Sequence, residues 1–523
     1  MVNLYKRDIQ GQSLHLPSYN MIRRTTTNKL LLKNFKRSLM SSSIVMKEAA
    51  PVLFSMQDTA RVVTLNRPAK LNALNFEMCQ SMFQILNEYS KSDATNLIIV
   101  KSSDKGRSLC AGGDVATVAV QNLNGNHKKA IEFFEAEYSL NLQMATYPKP
   151  IVTYMNGITM GGGVGLSVHT PFRIATENTK WAMPEMDIGF FPDVGTTFAL
   201  PRLVTMANNH SQMALYLCLT GEVLNGEDAY MLGLASHYVN SENLQSLEVR
   251  LGELTPTKHI TADPAKSSAI FFDMVNGTIN EFSTNLPMDY KFKFTTDQLD
   301  VIESCFDITR HTSIEEILRS LDQYAKSEAG ISFCTEIKNK LATKSMTSMQ
   351  IALKVLKENS RDDINSALRR DLFTASNMCV NEEGVSEFSE ATKHKLVDKQ
   401  KTPYPWKHNS VISPNLLRAM VSPKLSTPVS LWENFSNITW DQYPYHSKYQ
   451  LPSEQSIKQY LRRVSGHQDG ATSAFITKNE VLKHFTRTNK LTKDKSDVAL
   501  ICNIICERKC NMDPVNGALI WND

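Results

Sequence analysis

No stretch of the 523-residue sequence approaches eighteen uninterrupted apolar residues, so no segment reads as a membrane-spanning helix. Cysteine is sparse: nine are scattered along the chain, which predicts reduced thiols rather than a disulfide framework. Phosphate-cradling motifs are missing. No Gly falls at the third position of Gly-x-Gly-x-x-Gly after Gly161 or Gly163, and no Gly-Lys-Ser/Thr occurs. That excludes a dinucleotide fingerprint and a phosphate loop. Ser167 lacks the Gly-x-Ser-x-Gly elbow of serine hydrolases.

Acid is absent from Ile9 to Lys47. Residues 1–48 carry nine Lys/Arg against Asp8 and Glu48, a balance of +7 in a chain whose total is +4. The rest is therefore slightly acidic, and no basic face for nucleic acid extends over the fold. Arg23, Arg24, Lys29, Lys33, Lys36 and Arg37 alternate with Leu30–Leu32, Phe35 and Leu39, ahead of Ser41–Ser43. This is the composition of a mitochondrial transit peptide, with a disordered basic tail as the alternative.

Beyond the leader, 42% hydrophobic and 21% charged residues are ordinary for a globular chain, and the length predicts two or three structural units. Arg61–Leu65, Leu97–Val100, Ile151–Met155 and Arg173–Thr176 read as strands. Phe76–Tyr89, Lys128–Tyr147, Val164–His169 and Ala214–Thr220 read as helices, and Ser102–Asp114 as a loop. Strands alternating with helices predict α/β architecture. From about residue 300 the pattern turns helical, over 313–327, 333–343, 348–359 and 363–378. After Trp406 periodicity is weak.

Two glycine segments stand out: Cys110-Ala-Gly-Gly-Asp114 and Met160-Gly-Gly-Gly-Val-Gly165. A carbonyl that becomes an oxyanion under attack needs two N–H donors aimed at one point, with no side chain in the way. A strand, a turn, three glycines and a helix N-terminus meet that need. Tight packing of a helix on a sheet favours the same glycines. The run from Trp181 to Gly195 holds Glu185, Asp187 and Asp193 among Met, Phe and Pro. A carboxylate so placed is poorly hydrated, which raises its pKa and suits a base or nucleophile. Loop carboxylates making capping bonds give the same pattern. Cys502, Cys506 and Cys510 recur every four residues, but no zinc spacing matches, so an apolar stripe is expected and no metal. His169, in an apolar run, reads as a satisfied core histidine.

These motifs follow one another in the order of the crotonase superfamily. Arg61-Val-Val-Thr-Leu-Asn-Arg-Pro-Ala-Lys-Leu-Asn-Ala-Leu-Asn75 precedes CAGGD. GITMGGGVGLSVH, then MPE with FPDVG, and then Leu219-Thr-Gly-Glu222 follow. The variant with GGGVGLSVH and MPE…FPD resembles the 3-hydroxyisobutyryl-CoA hydrolases in particular, and the helical stretch 300–406 resembles that family's C-terminal region. The resemblance implies a crotonase fold, a repeated β-β-α superhelix with a helical C-terminal region. The divisions are a leader (1–48), a core (49–295), a helical region (296–406) and an extension (407–523).

The resemblance also implies roles. Gly113 and Gly162 would donate the oxyanion-hole N–H groups. Glu185 would be the catalytic carboxylate and Asp193 the second acid. Glu137 matches a substrate-contacting position, although beside Glu132 and Glu135 it also reads as a solvated acid. Lys70, Ala73, Ala111 and Asp114 match the region that holds CoA, which is part of the substrate; no separate cofactor is implied. Hydratases of this fold carry a second Glu three positions after the middle glycine. Here that residue is Gly165, so acyl transfer to water is expected rather than hydration of a double bond. Some relatives are built into the small subunit of mitochondrial ribosomes. The extension, with basic residues at 458, 462, 463, 478, 483 and 487, suits such a role. A mitochondrial matrix location and assembly into homo-oligomers are further expectations of the resemblance.

Overall fold

The computed structural model describes residues 50–256, 264–433, 440–465, 476–491 and 496–522. The leader, and with it the transit-peptide expectation, lies outside them.

Two sheets form the frame. The first contains β1 (Val52–Gln57), β2 (Ala60–Leu65), β3 (Leu97–Ser102), β5 (Ile151–Met155), β7 (Phe172–Ala175) and β10 (His237–Tyr238), side by side in that order. Only β1 runs antiparallel to its neighbour, β2; each later pair is parallel. Strands β5 and β7 are buried at every position, as parallel strands covered on both faces must be. The second sheet holds β4 (Ser108–Cys110), β6 (Ile158–Met160), β8 (Lys180–Ala182) and β9 (Leu224–Asn225).

The chain alternates between the sheets: β3 then β4, β5 then β6, β7 then β8. Helices follow the first two pairs: α1 (Phe76–Lys91) precedes them, α2 (Val115–Leu123) and α3 (His127–Ala145) follow β4, and α4 (Gly162–Val168) follows β6. This is the repeated β-β-α superhelix. The sequence reads Ser102–Asp114 as a loop throughout, yet Ser108–Cys110 is a strand. Three residues carry no periodicity, and the strand exists because β6, fifty residues later, pairs with it.

The regions beyond the core pack directly on it. α5 (Thr196–Leu203) leads to the buried α6 (Gln212–Thr220). Helix Ile364–Val380 lies along α3, and helix Met346–Asn359 lies against α5. From Ala50 onward the described chain is one compact unit. The extension, nearly featureless in sequence, contains helices Glu454–Ser465, Lys478–Thr488 and Ser496–Lys509 and a hairpin of Cys510–Met512 with Leu519–Trp521. Cys502 and Cys506 face its core, while Cys510 lies past the helix end on the hairpin. Among the described residues, no group of three or more His, Cys, Asp or Glu side chains is placed to hold a metal.

Candidate active site

The two glycine turns meet. Leu74 bridges to Gly113, taking its neighbours' hydrogen bonds: Leu74 N donates to Gly112 O (2.8 Å) and Asp114 N to Leu74 O (2.7 Å). That leaves the Gly113 N–H pointing away from Leu74. Gly162 opens α4, where the first-turn N–H groups have no intrahelical acceptor. A Cβ placed on Gly162 would lie 3.2 Å from Gly113 N, so the two amides are adjacent. Among the described residues, neither N–H donates a hydrogen bond. The same hypothetical Cβ would overlap Glu137 Oε1, so a side chain at 162 would push the Glu137 carboxyl from its place.

Three carboxylates surround this point. Glu185 begins the short 3-10 turn Glu185–Ile188, and its Oε1 sits against Gly161. Glu137 reaches in from α3. Asp193 follows the Phe190-Phe191-Pro192 run, and Tyr138 Oη donates to its Oδ2 at 2.6 Å. All three acids are buried. Together with Ala111, Gly112, Gly113, Gly161, Gly162, Phe134, Ile188, Phe190 and Leu396, they line a cleft of about 170 Å³. Glu137 Oε1 and Glu185 Oε2 are buried with no hydrogen-bond partner among the described residues, so one oxygen of each is unsatisfied.

Burial, and after it the charge of Asp193, holds the Glu185 and Glu137 carboxyls well above the ordinary range. Burial also raises Asp193, but the Tyr138 hydrogen bond pulls back, leaving it at about 7. Asp187 contrasts with them at the mouth of the cleft. Burial pushes it up, but Lys344 and Lys395 (Nζ to Oδ2, 2.6 Å) more than offset this and hold it below the ordinary range.

Of the residues singled out in sequence, the fold brings together Gly113, Gly162, Glu137, Glu185, Asp193 and Ala111. The solvated reading of Glu137 is incorrect: it is 2% exposed, because α3 is covered on nearly every face. Lys70 is exposed on the turn Pro68–Lys70, and neither it nor Ala73 lines the cleft. Asp114 caps α2 through Thr117 and pairs with Arg67 at 3.0 Å, so its carboxylate is already engaged. Tyr138, Lys395 and Leu396 escaped the sequence reading. Tyr138 is one aromatic on a buried helix, and the other two lie about two hundred residues after Glu185.

Gly165 has a steric reason to be glycine. A Cβ there would lie 2.7 Å from Val194 Cβ and 2.9 Å from Asn141 Nδ2. The loop carrying Asp193 fills the space that a side chain at 165 would need. A larger cavity of about 520 Å³, lined by Arg202, His210 and Arg361 among others, opens beside the extension and contains none of these groups.

Comparison with known proteins identifies the family. Residues 60–418 match the family described as Enoyl-CoA hydratase/isomerase. The chain belongs to that family, the crotonases. Among curated crotonase relatives, the small ribosomal subunit protein mS47 of Neurospora crassa is 36% identical over 451 residues, 85% of this chain and 83% of its own length. The mitochondrial 3-hydroxyisobutyryl-CoA hydrolase of Danio rerio is 35% identical over 366 residues, 70% of this chain and 87% of its own. Among solved crotonase structures, an enoyl-CoA hydratase from Rhodobacter sphaeroides superposes with a TM-score of 0.56 at 26% identity, covering 72% of this chain and 98% of that one.

Proposed function

We propose that this crotonase hydrolyses the thioester of a short 3-hydroxyacyl-CoA, with 3-hydroxyisobutyryl-CoA as the substrate and 3-hydroxyisobutyrate and CoA as products. This would place it in valine breakdown in the mitochondrial matrix. The observation that carries the reading is the meeting of two uncommitted amides, Gly113 and Gly162, with the unsatisfied carboxylate of Glu185. The thioester oxygen accepts from both amides, which stabilise the charge that develops there. Ionised Glu185 then acts on the carbonyl carbon. It attacks directly, expelling CoA thiolate and leaving an anhydride for water to open, or it takes a proton from the water that attacks. Asp193, fixed by Tyr138, holds the substrate hydroxyl or the water. CoA enters as part of the substrate, and no metal or separate cofactor is needed.

One feature favours hydrolysis over hydration: Gly165 leaves no room for a side chain at that position. The cleft is small beside the roughly 300–1,000 Å³ of sites for larger ligands. A short acyl group fits it, with the nucleotide end outside. The test is thiol release from a panel of CoA esters. Short 3-hydroxyacyl esters should turn over fastest. Hydration of crotonyl-CoA without thioester cleavage would reject the reading.

A second role has its own support. The match to the Neurospora mS47 leaves fewer residues unaligned than the extension contains, so it reaches into the extension; the hydrolase match is shorter. We infer that the extension serves attachment to the mitochondrial small ribosomal subunit, alongside catalysis. Native protein that all elutes free of the small subunit at moderate salt would reject this.

A further inference from the structure

The extension also reaches the catalytic loop. Val194, next to Asp193, has φ of 52°, a left-handed conformation that a β-branched residue adopts only when its surroundings impose it. Three groups hold it. Asp371, on helix Ile364–Val380, accepts from Gly195 N at 2.8 Å. Tyr138 holds Asp193 itself. The third is His169, which directly follows α4. Its Nε2 lies 2.7 Å from Val194 O, and its Nδ1 lies 2.7 Å from Tyr443 Oη. Its ring is flush against the loop: a Cβ on Gly195 would lie 2.7 Å from His169 Cε1.

The directions of these bonds are fixed by chemistry. A carbonyl only accepts, so His169 Nε2 carries the proton and donates to Val194 O. Burial keeps the ring neutral, with its pKa down at about 4. Nδ1 is therefore a bare lone pair, and Tyr443 Oη must donate to it. Tyr443 is in turn fixed in place. It stacks on His446 with ring centroids 4.0 Å apart and meets Phe198 edge-on at 5.3 Å. His446 Nε2 lies 3.1 Å from Val168 O, at the end of α4, whose first turn presents Gly162. Arg202 Nε donates to Asp441 O at 2.7 Å, and Ile364 N to Trp440 O at 2.8 Å, so the residues just before Tyr443 are tied to α5 and to helix Ile364–Val380.

We propose that Tyr443, carried by the extension, is a positioning residue of the active site: through His169 it holds Val194, and so Asp193, in place, while His446 holds the far end of the helix that begins with Gly162. Resting on the hydrolase reading, this makes the extension part of the catalytic apparatus and not only an attachment surface.

Tyr443→Phe tests it, because the ring keeps its stacking and loses one donor. The turnover number should fall about tenfold to a hundredfold, the effect of a small displacement of a reacting group, with KM nearly unchanged. A variant that loses thermal stability yet keeps full turnover would show packing alone and overturn the proposal. A readout independent of substrate uses the two Val-Gly pairs in the sequence, Val164-Gly165 and Val194-Gly195. Labelling Val carbonyl carbons and Gly nitrogens selects these two amides, one on each side of the contact between α4 and the loop. The Gly195 resonance should move in Tyr443→Phe; an unmoved resonance overturns the proposal. If the wild type cleaves no CoA ester, the hydrolase reading fails while the Gly195 resonance still decides whether Tyr443 holds the loop.

Discussion

Two clusters of acids, one where the extension meets helix Thr296–Cys305 and one in the cleft, are treated in opposite ways. In the extension, Arg508 Nη1 meets Glu454 Oε1 at 2.7 Å and Nε meets Asp300 Oδ1 at 3.4 Å, with Glu303 on Nη2; Lys509 reaches Glu303 at 2.5 Å. Even so, burial leaves the Glu454 carboxyl above its ordinary range, with Arg508 pulling it down. In the cleft, Glu137, Glu185 and Asp193 converge, and no cation figures among the influences on them. A fold that places arginine and lysine among one set of carboxylates and none among the other is using them differently. Paired acids tie helices together. Unpaired ones lack hydration, give up their protons only at raised pH, and once ionised are ready to react.

The sharpest way to break the comparison is to remove one acid from the cleft. Glu185→Gln keeps shape and loses charge, and it should lower thioester cleavage by at least about 10³-fold, the scale for a group acting on the reacting atom. Thiol release under saturating substrate measures this. Near-normal turnover would make the cleft acids structural, like those of the extension.

Next is the cation of the other cluster. Arg508→Met strands Glu454 and should destabilise the protein by about 3 kcal/mol, the usual result of breaking a buried pair from one side. Urea denaturation reads the loss, while the turnover number at low denaturant should stay close to wild type. A loss of turnover with stability intact would reverse the roles assigned to the two regions.

The third effect is smaller and concerns pH. The cleft acids must be ionised to act, and their pKa values are raised, so the acid limb of kcat/KM should lie at higher pH than for ordinary carboxylates. The Asp193 charge is the largest influence after burial on Glu185. Asp193→Asn removes it, so the Glu185 pKa falls and the residual activity should show its acid limb at lower pH than the wild type. A limb that stays in place or rises would mean that the two carboxylates do not sense each other.

How much of this was legible follows from the same contrast. The amides and Glu185 were readable because their neighbours restrict them locally: glycines where a Cβ would collide, and an acid within a run of Met, Phe and Pro. The core strands were readable because parallel strands buried on both faces are continuous apolar runs. Glu137 was ambiguous because α3 is buried nearly all round, so periodicity does not mark its inner face. Tyr138, Lys395 and Tyr443 were invisible because each acquires its meaning only from a partner far away in sequence. Helices Glu454–Ser465 and Lys478–Thr488 escaped for a related reason: each packs through a few residues, such as Ile457 and Leu461 or Val481, on an otherwise polar sequence, whereas Ser496–Lys509 is apolar nearly all round and shows no clear helical period.

The smallest effect is the most discriminating, because it opposes activity. In the unfolded chain Glu185 titrates near 4.3; in the folded protein its pKa is raised. Below about pH 4 both states hold the proton and the residue contributes no pH-dependent difference. As pH rises from there, the unfolded state releases its proton while the folded state must keep one or bear a buried charge, so stability falls until the folded pKa is passed. Glutamine never ionises. Glu185→Gln should therefore raise the thermal midpoint at pH 8 by about 1–2 °C, a modest shift in so long a chain, and change it little near pH 4. Calorimetry at the two pH values decides the matter. An inactive variant that is more stable only at alkaline pH marks an acid held in its site against the interest of the fold, whereas a variant equally destabilised at both would place Glu185 with the paired acids of the extension.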